Sequence, residues 1–311
     1  MIFPLRRPTP SYVPLALAAA IALLSACSPD IAQQPNQRLH CGRYVSMAPS
    51  NTELLYALHA DDNLVGVCNQ CDYPKQVKQK PTVGSFTTLD LEQLLTLKAD
   101  SAFLVEGQEG ISDAISKHPE LHCQPIILQN RRVRDIAHNL SSLGALTGHS
   151  KEAQPLVQSF SKQVDALVTT IAGSKAPTPK VFFCVWPEPL TTVGGSSYLN
   201  EAITICGGEN IAAKLPAAYP PFNTEQILAV QPDVIILPHE VEGQSFLHNP
   251  PWNSLKAVAN KRVYYLPFRD DDRLSRPTLR LVEGLYWLAQ RLHPELAGRI
   301  RAKASDYRSQ E

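Results

Sequence analysis

The sequence predicts an α/β protein of two similar lobes, each a mainly parallel sheet flanked by helices, with one long rigid helix joining them. Three observations predict it. A helix–turn–strand unit occurs twice, as LEQLLTLKAD (residues 91–100) running into SAFLV (101–105) and as TEQILAVQPD (224–233) running into VIIL (234–237). Short apolar strands alternate with amphipathic helices along most of the chain. One long amphipathic stretch, 151–172, stands between the two copies of the repeat. Copies this far apart cannot be turns of a solenoid, whose period is roughly 20–50 residues. They fit two lobes built on one plan.

In each copy apolar residues recur at i, i+3 and i+4, the helical spacing, and the following run is short, apolar and rich in β-branched residues, as a strand buried on both faces requires. A capping residue, Asp90 or Asn223, stands two places before Glu92 or Glu225.

The elements are taken in chain order. Residues 43–47 form a first strand. Ser50 and Glu53 read as an S-x-x-E capping box that opens a helix through His59. Residues 64–67 and 126–128 are further strands around the first repeat, and residues 133–147 form a helix closed by Gly148. In 151–172, Leu156, Phe160, Val164, Leu167 and Ile171 share one face of a helix about 30 Å long. Strand 181–185, a helix ending at Ile205 before Gly207-Gly208, the second repeat, strand 262–266 and a final helix 278–292 complete the second lobe.

With 29 basic and 29 acidic side chains, no charge excess recruits nucleic acid. Residues 1–26 read as a signal segment, with Arg6 and Arg7 before an apolar core at 16–24. That core is shorter than the ~20 apolar residues of a spanning helix. Leu24-Ser25-Ala26-Cys27 looks like a lipobox, so Cys27 is the expected lipidation site and the membrane anchor. The organisation is therefore signal 1–26, tether 27–40, N-terminal lobe 41–150, linking helix 151–173 and C-terminal lobe 174–311. Removing the signal takes two arginines and no acid.

The six other cysteines allow fifteen pairings. Cys184 with Cys206, and Cys41 with Cys123, are the pairs that lobe membership suggests. Cys68-Asn69-Gln70-Cys71 is a C-x-x-C, which raises thiol-redox or metal chemistry as an alternative function. It leads into Asp72-Tyr73-Pro74 rather than a helix, and no second C-x-x-C completes a zinc site. No metal site and no cofactor is expected. Gly194-Gly195-Ser196-Ser197 is a lone signal for an anion cradle, and no G-x-S-x-G is present, so the chain is read as a receptor that catalyses nothing.

Ligands of open α/β sheets lie beyond the carboxyl ends of the strands, which places a ligand cleft between the lobes. The loops at those ends contain Ser50, Tyr73, Phe86, Glu106, Trp186, Glu188, Tyr219, His239, Trp252 and Asp270. That share of aromatics suits a flat apolar macrocycle with polar groups at its edge.

Ser50-Asn51-Thr52-Glu53-Leu54, Cys71-Asp72-Tyr73-Pro74, Val83-Gly84-Ser85-Phe86, Trp186-Pro187-Glu188-Pro189-Leu190, Gly207-Gly208-Glu209-Asn210-Ile211, Ser275-Arg276-Pro277 and His293-Pro294-Glu295, in this order, resemble the periplasmic solute-binding proteins of the helical-backbone class. Those serve ATP-driven importers of cobalamin, haem and iron-siderophores, and the cobalamin binders resemble this chain most. The resemblance implies a monomeric periplasmic lipoprotein that captures a corrinoid, with haem or an iron-siderophore as the alternative cargo, and delivers it to a permease dimer. It implies ligand contacts from Tyr73, Phe86, Trp186, Tyr219 and Asp270, to which Ser50, Glu188 and Trp252 add from their loops. Phe86 and Tyr219 stand where tryptophan is common, and Gln70 where a tyrosine often stacks. The resemblance further implies that Glu92 and Glu225 dock on permease arginines. Read without it, each is an acid in the first turn of a helix, favoured there by about 0.3–1 kcal/mol.

Overall fold

The computed structural model describes residues 42–241, 249–266 and 273–300. The signal segment, the tether, Cys27, Cys41 and Asp270 lie outside these residues.

The N-terminal lobe runs β1 (Tyr44–Ser46), α1 (Pro49–Ala57), β2 (Leu64–Val67), α2 (Leu91–Leu97), β3 (Ser101–Val105), α3 (Glu109–Ser116), β4 (Gln124–Leu128) and α4 (Val133–Thr147). Its sheet has the order β2-β1-β3-β4, parallel throughout. After α4 the chain turns at Gly148 (φ +84°), a left-handed conformation that suits glycine. The linking helix α5 (Ser150–Ala172) comes next. The C-terminal lobe contains β5 (Lys180–Pro187), β6 (Leu190–Thr192), α6 (Tyr198–Ile205), β7 (Glu209–Asn210), α7 (Thr224–Val230), β8 (Val234–Leu237), α8 (Lys256–Ala259), β9 (Val263–Tyr265) and α9 (Leu281–Leu292). Strands β7, β5, β8 and β9 are parallel neighbours in the order of the first sheet, and β6 adds an antiparallel edge.

The apolar runs are buried as their composition demands. Every residue of β3 and β8 is buried. Along β5, Val181 and Phe183 join the main core while Phe182 and Cys184 join a second cluster on the opposite face. That alternation is the period-2 geometry of a strand covered on both sides. In α5, Phe160 and Leu167 are buried and Leu156, Val164 and Ile171 pack on the same core, so the predicted stripe is the buried one.

The repeated unit performs the same task twice. Asp90 and Asn223 cap α2 and α7 through Gln93 N–H and Gln226 N–H, at 2.9 and 2.8 Å. Each helix then reverses through a left-handed residue, Lys98 or Gln231, both at φ 50°. Asp100 accepts from Gly42 N–H and Arg43 N–H at the entry to β1, and Asp233 accepts from Lys180 N–H at the entry to β5. Each aspartate thus fixes two adjacent strands at one end.

Two sequence expectations need correction. The Ser50–Glu53 capping box does not form: α1 begins at Pro49 after Ala48, with no side-chain cap. Glu53 instead turns inward, its side chain 4% exposed, toward arginines of the C-terminal lobe. Arg280 donates to both of its oxygens, at 2.9 and 2.7 Å, and Arg276 Nη1 lies 3.1 Å away. Arg276 also grips Asp72 with both terminal nitrogens, at 2.6 and 3.2 Å, while Arg280 lies 3.9 Å above the Tyr73 ring. Cys184 and Cys206 do not pair either. Both are free, one in each core cluster, and Cys206 Sγ–H donates to Leu285 C=O. Burial pushes their thiols up, to about 12 for Cys184.

Glu53→Gln removes the charge that two largely buried arginines share. We expect a loss of about 3 kcal/mol, read as a lower urea midpoint at unchanged slope. Burial works against the Asp233 carboxylate, but Lys256 and the Lys180 N–H outweigh it and hold its pKa below 3.8. A carboxylate depressed in the folded state stabilises above its unfolded pKa, and the contribution fades as pH falls through the folded value. Asp233→Asn should therefore shrink the drop in urea midpoint on going from pH 7 to below about 4.

Candidate functional site

A cavity of about 460 Å³ opens between the lobes, within the roughly 300–1,000 Å³ usual for small-ligand sites. The N-terminal lobe supplies Ala48 to Ser50 after β1, Val105 at the end of β3 with Glu106 after it, and Asn130 and Arg131 after β4. These are the carboxyl ends of parallel strands, where such sheets bind. Phe86 comes from a neighbouring loop. Across the gap stand Ser196 to Tyr198 at the start of α6, Tyr219, and Ser275 to Pro277.

Phe86 and Tyr219 face the cavity from different lobes and are 36% and 46% exposed. Two rings facing one cavity in this way are candidates for contact with a ligand. Phe86 is held by its backbone. Its N–H donates to Gln70 Oε1 at 2.9 Å, and its C=O accepts from Gln108 Nε2 at 2.7 Å. Gln108 is 2% exposed and also donates to Met47 C=O and accepts from Val105 N–H. One buried amide thus joins the ends of β1 and β3 to the Phe86 loop. Sequence reasoning misses it, since a neutral glutamine in a loop has no pattern to betray it.

Tyr219 is carried by the segment that packs on Gly194 and Gly195. Gly194 N–H donates to Ala218 C=O and Gly195 N–H to Leu215 C=O, at 2.9 and 2.7 Å. A Cβ on Gly194 would stand 2.0 Å from Ala217 C=O, so the two backbones meet only because the residue is glycine. The glycine pair that reads as an anion cradle in the sequence serves this close approach. Burial raises the Tyr219 hydroxyl pKa, and a hydrogen bond with Ser197 offsets part of the rise. At the mouth, Arg131 pairs with Glu106 at 2.6 Å.

Of the residues named from sequence, Ser50, Phe86, Glu106 and Tyr219 line the cavity. Tyr73 lies outside its lining, beneath Arg280. Trp186 is 55% exposed and donates its indole N–H to Glu188 C=O at 2.8 Å, so the two residues brace their own turn beyond the cavity. Trp252 packs on Phe182, which stacks on Phe222, in the second core cluster. Glu92 and Glu225 are exposed in the first turns of α2 and α7, equivalent positions of the two lobes. Among the described residues no three His, Cys, Asp or Glu side chains group as metal ligands.

The chain is 29% identical over 259 residues to the "uncharacterized ABC transporter substrate-binding lipoprotein YvrC" of Bacillus subtilis (strain 168), covering 81% of this chain and 80% of that protein. It is 29% identical over 244 residues to a vitamin B12-binding protein of Vibrio cholerae serotype O1, covering 78% of this chain and 86% of that one. The crystal structure of the periplasmic vitamin B12 binding protein of Vibrio cholerae superposes with a TM-score of 0.71 at 26% identity, over 84% of this chain and 99% of that one. The sequence profile of the periplasmic binding proteins matches residues 45–269. With two lobes built on parallel sheets and a cavity between them, the chain belongs to the periplasmic binding protein family.

Proposed function

We propose that the chain is the substrate-binding lipoprotein of an ABC importer, which takes a cobalamin-type corrinoid into the interlobe cavity and delivers it to a permease dimer. The observation that carries this reading is the cavity walled by one open aromatic from each lobe, Phe86 and Tyr219. Two such rings suit a broad apolar macrocycle, and Ser50, Ser196 and Ser197 line the same cavity beside its polar edge. The likeness to vitamin B12-binding proteins over most of the chain supports the same cargo.

Glu92 and Glu225 support the delivery step. They are exposed acids on matching helices of two similar lobes, a pairing suited to a partner with two equivalent basic patches. In this reading Cys27 carries the lipid that keeps the protein at the envelope, the protein acts as a monomer, and it binds its cargo without catalysis.

Titrating the purified protein by tryptophan fluorescence with cyanocobalamin, haemin and a ferric siderophore should give saturable 1:1 quenching by cyanocobalamin. Saturation by haemin or the siderophore alone would replace the cargo. Phe86→Ala and Tyr219→Ala should each weaken cyanocobalamin at least about tenfold, or 1.4 kcal/mol, with little change in the urea midpoint. Glu92→Ala with Glu225→Ala should leave that affinity intact and abolish vesicle uptake with the cognate permease. Unchanged uptake would remove the docking assignment.

A further inference from the structure

Cys68 and Cys71 lie outside the cavity lining. They close the turn that leaves β2, with Cys71 N–H donating to Cys68 C=O at 3.0 Å. A four-residue turn of this kind keeps its end Cα atoms within about 7 Å, the span that a disulfide bridges. The sulfurs face each other 3.3 Å apart, and both side chains are buried, Cys68 fully. The hydrogen bond from Cys71 holds the Cys68 thiol below its ordinary value, and sharing that proton, with burial, pushes the Cys71 thiol up. Thr52 Oγ1 lies 3.1 Å from Cys71 Sγ and fixes the second sulfur from α1. No third His, Cys, Asp or Glu joins them in a metal-ligand group among the described residues.

The pair also stands beside the joint between the lobes. Asp72 and Tyr73, the next two residues, meet Arg276 and Arg280 of the other lobe. The turn is therefore the base of the N-terminal lobe's arm in the interlobe contact.

The geometry points to an intramolecular Cys68–Cys71 disulfide that closes when the chain folds under oxidising conditions and braces this arm. The co-reactant is an exogenous disulfide, either a small molecule or a thiol–disulfide exchange protein. One cysteine attacks it as thiolate, forms a mixed disulfide and releases one thiol. The other cysteine then attacks the protein sulfur of that bond and releases the second. Two protein thiols are oxidised by two electrons, one exogenous disulfide is reduced to two thiols, and the two protons pass to the thiols released. Because Cys68 is fully buried in the folded chain, the exchange belongs to folding, before the turn closes.

The test uses the full chain in detergent, reduced and unfolded, then refolded in a buffer of oxidised and reduced glutathione and trapped with iodoacetamide. The expected peptide carrying both cysteines is unalkylated and two hydrogens lighter, and takes up two alkyl groups only after reduction. Two alkyl groups without reduction, or a link from either sulfur to another cysteine, overturns the proposal. This readout does not depend on cargo or cellular location. Hydrogen exchange then tests the brace: reducing the bond should speed exchange at Gln70 to Tyr73 at least about tenfold. An unchanged rate overturns the bracing role.

Discussion

The carboxylate of Glu53 sits inside the protein on the first helix, where an unpaired charge would cost several kcal/mol. Its pairing with Arg280 and Arg276 is therefore a requirement, and the two arginines come from the segment that opens the last helix of the other lobe. Much of the remaining architecture serves that pairing. Arg276 is held by Asp72 on its outer side, Arg280 is covered by Tyr73, and the segment from Ser275 to Pro277 is thereby laid along the cavity wall. A charge-paired joint has directional partners, unlike an apolar seam, so it specifies one relative placement of the lobes.

Within each lobe the repeated aspartate has a comparable role on a smaller scale. Asp100 and Asp233 tie the incoming end of one strand to its neighbour, at the edge away from the cavity. The far ends are left to diverge into the loops that line the site. The strand ties are concentrated at one end of the sheets and the cavity lies at the other.

Much of this is legible in the sequence. The strands can be found because a run such as Val234-Ile235-Ile236-Leu237 has one stable home, a sheet covered on both faces. The long helix is legible because its stripe of five apolar residues continues for about four turns. The two-residue β7, the three-residue β6 and the four-residue α8 escape detection, being too brief for a period to register. Glu53 misleads because S-x-x-E is spelled alike in a cap and in an ion pair whose partner lies 223 residues away. The site is half legible. Aromatics at strand ends can be found, yet Trp252 and Phe86 look alike in sequence, and only packing separates the one that completes a core from the one left open. Gln108 is invisible because its role is entirely in the geometry of one amide.

Since Gln108 ties Phe86 to the ends of two sheet strands, the ring is part of the N-terminal lobe's rigid body and is set in place when that lobe folds. The segment carrying Tyr219 is strapped differently, by backbone bonds to the glycine pair and to Thr192 of β6, the antiparallel edge of its sheet. Edges open more readily than the buried centre of a sheet. The cavity thus has a wall fixed in the centre of one sheet, carrying Phe86, and a wall hung on the edge of the other, carrying Tyr219, and the second is the more compliant of the two.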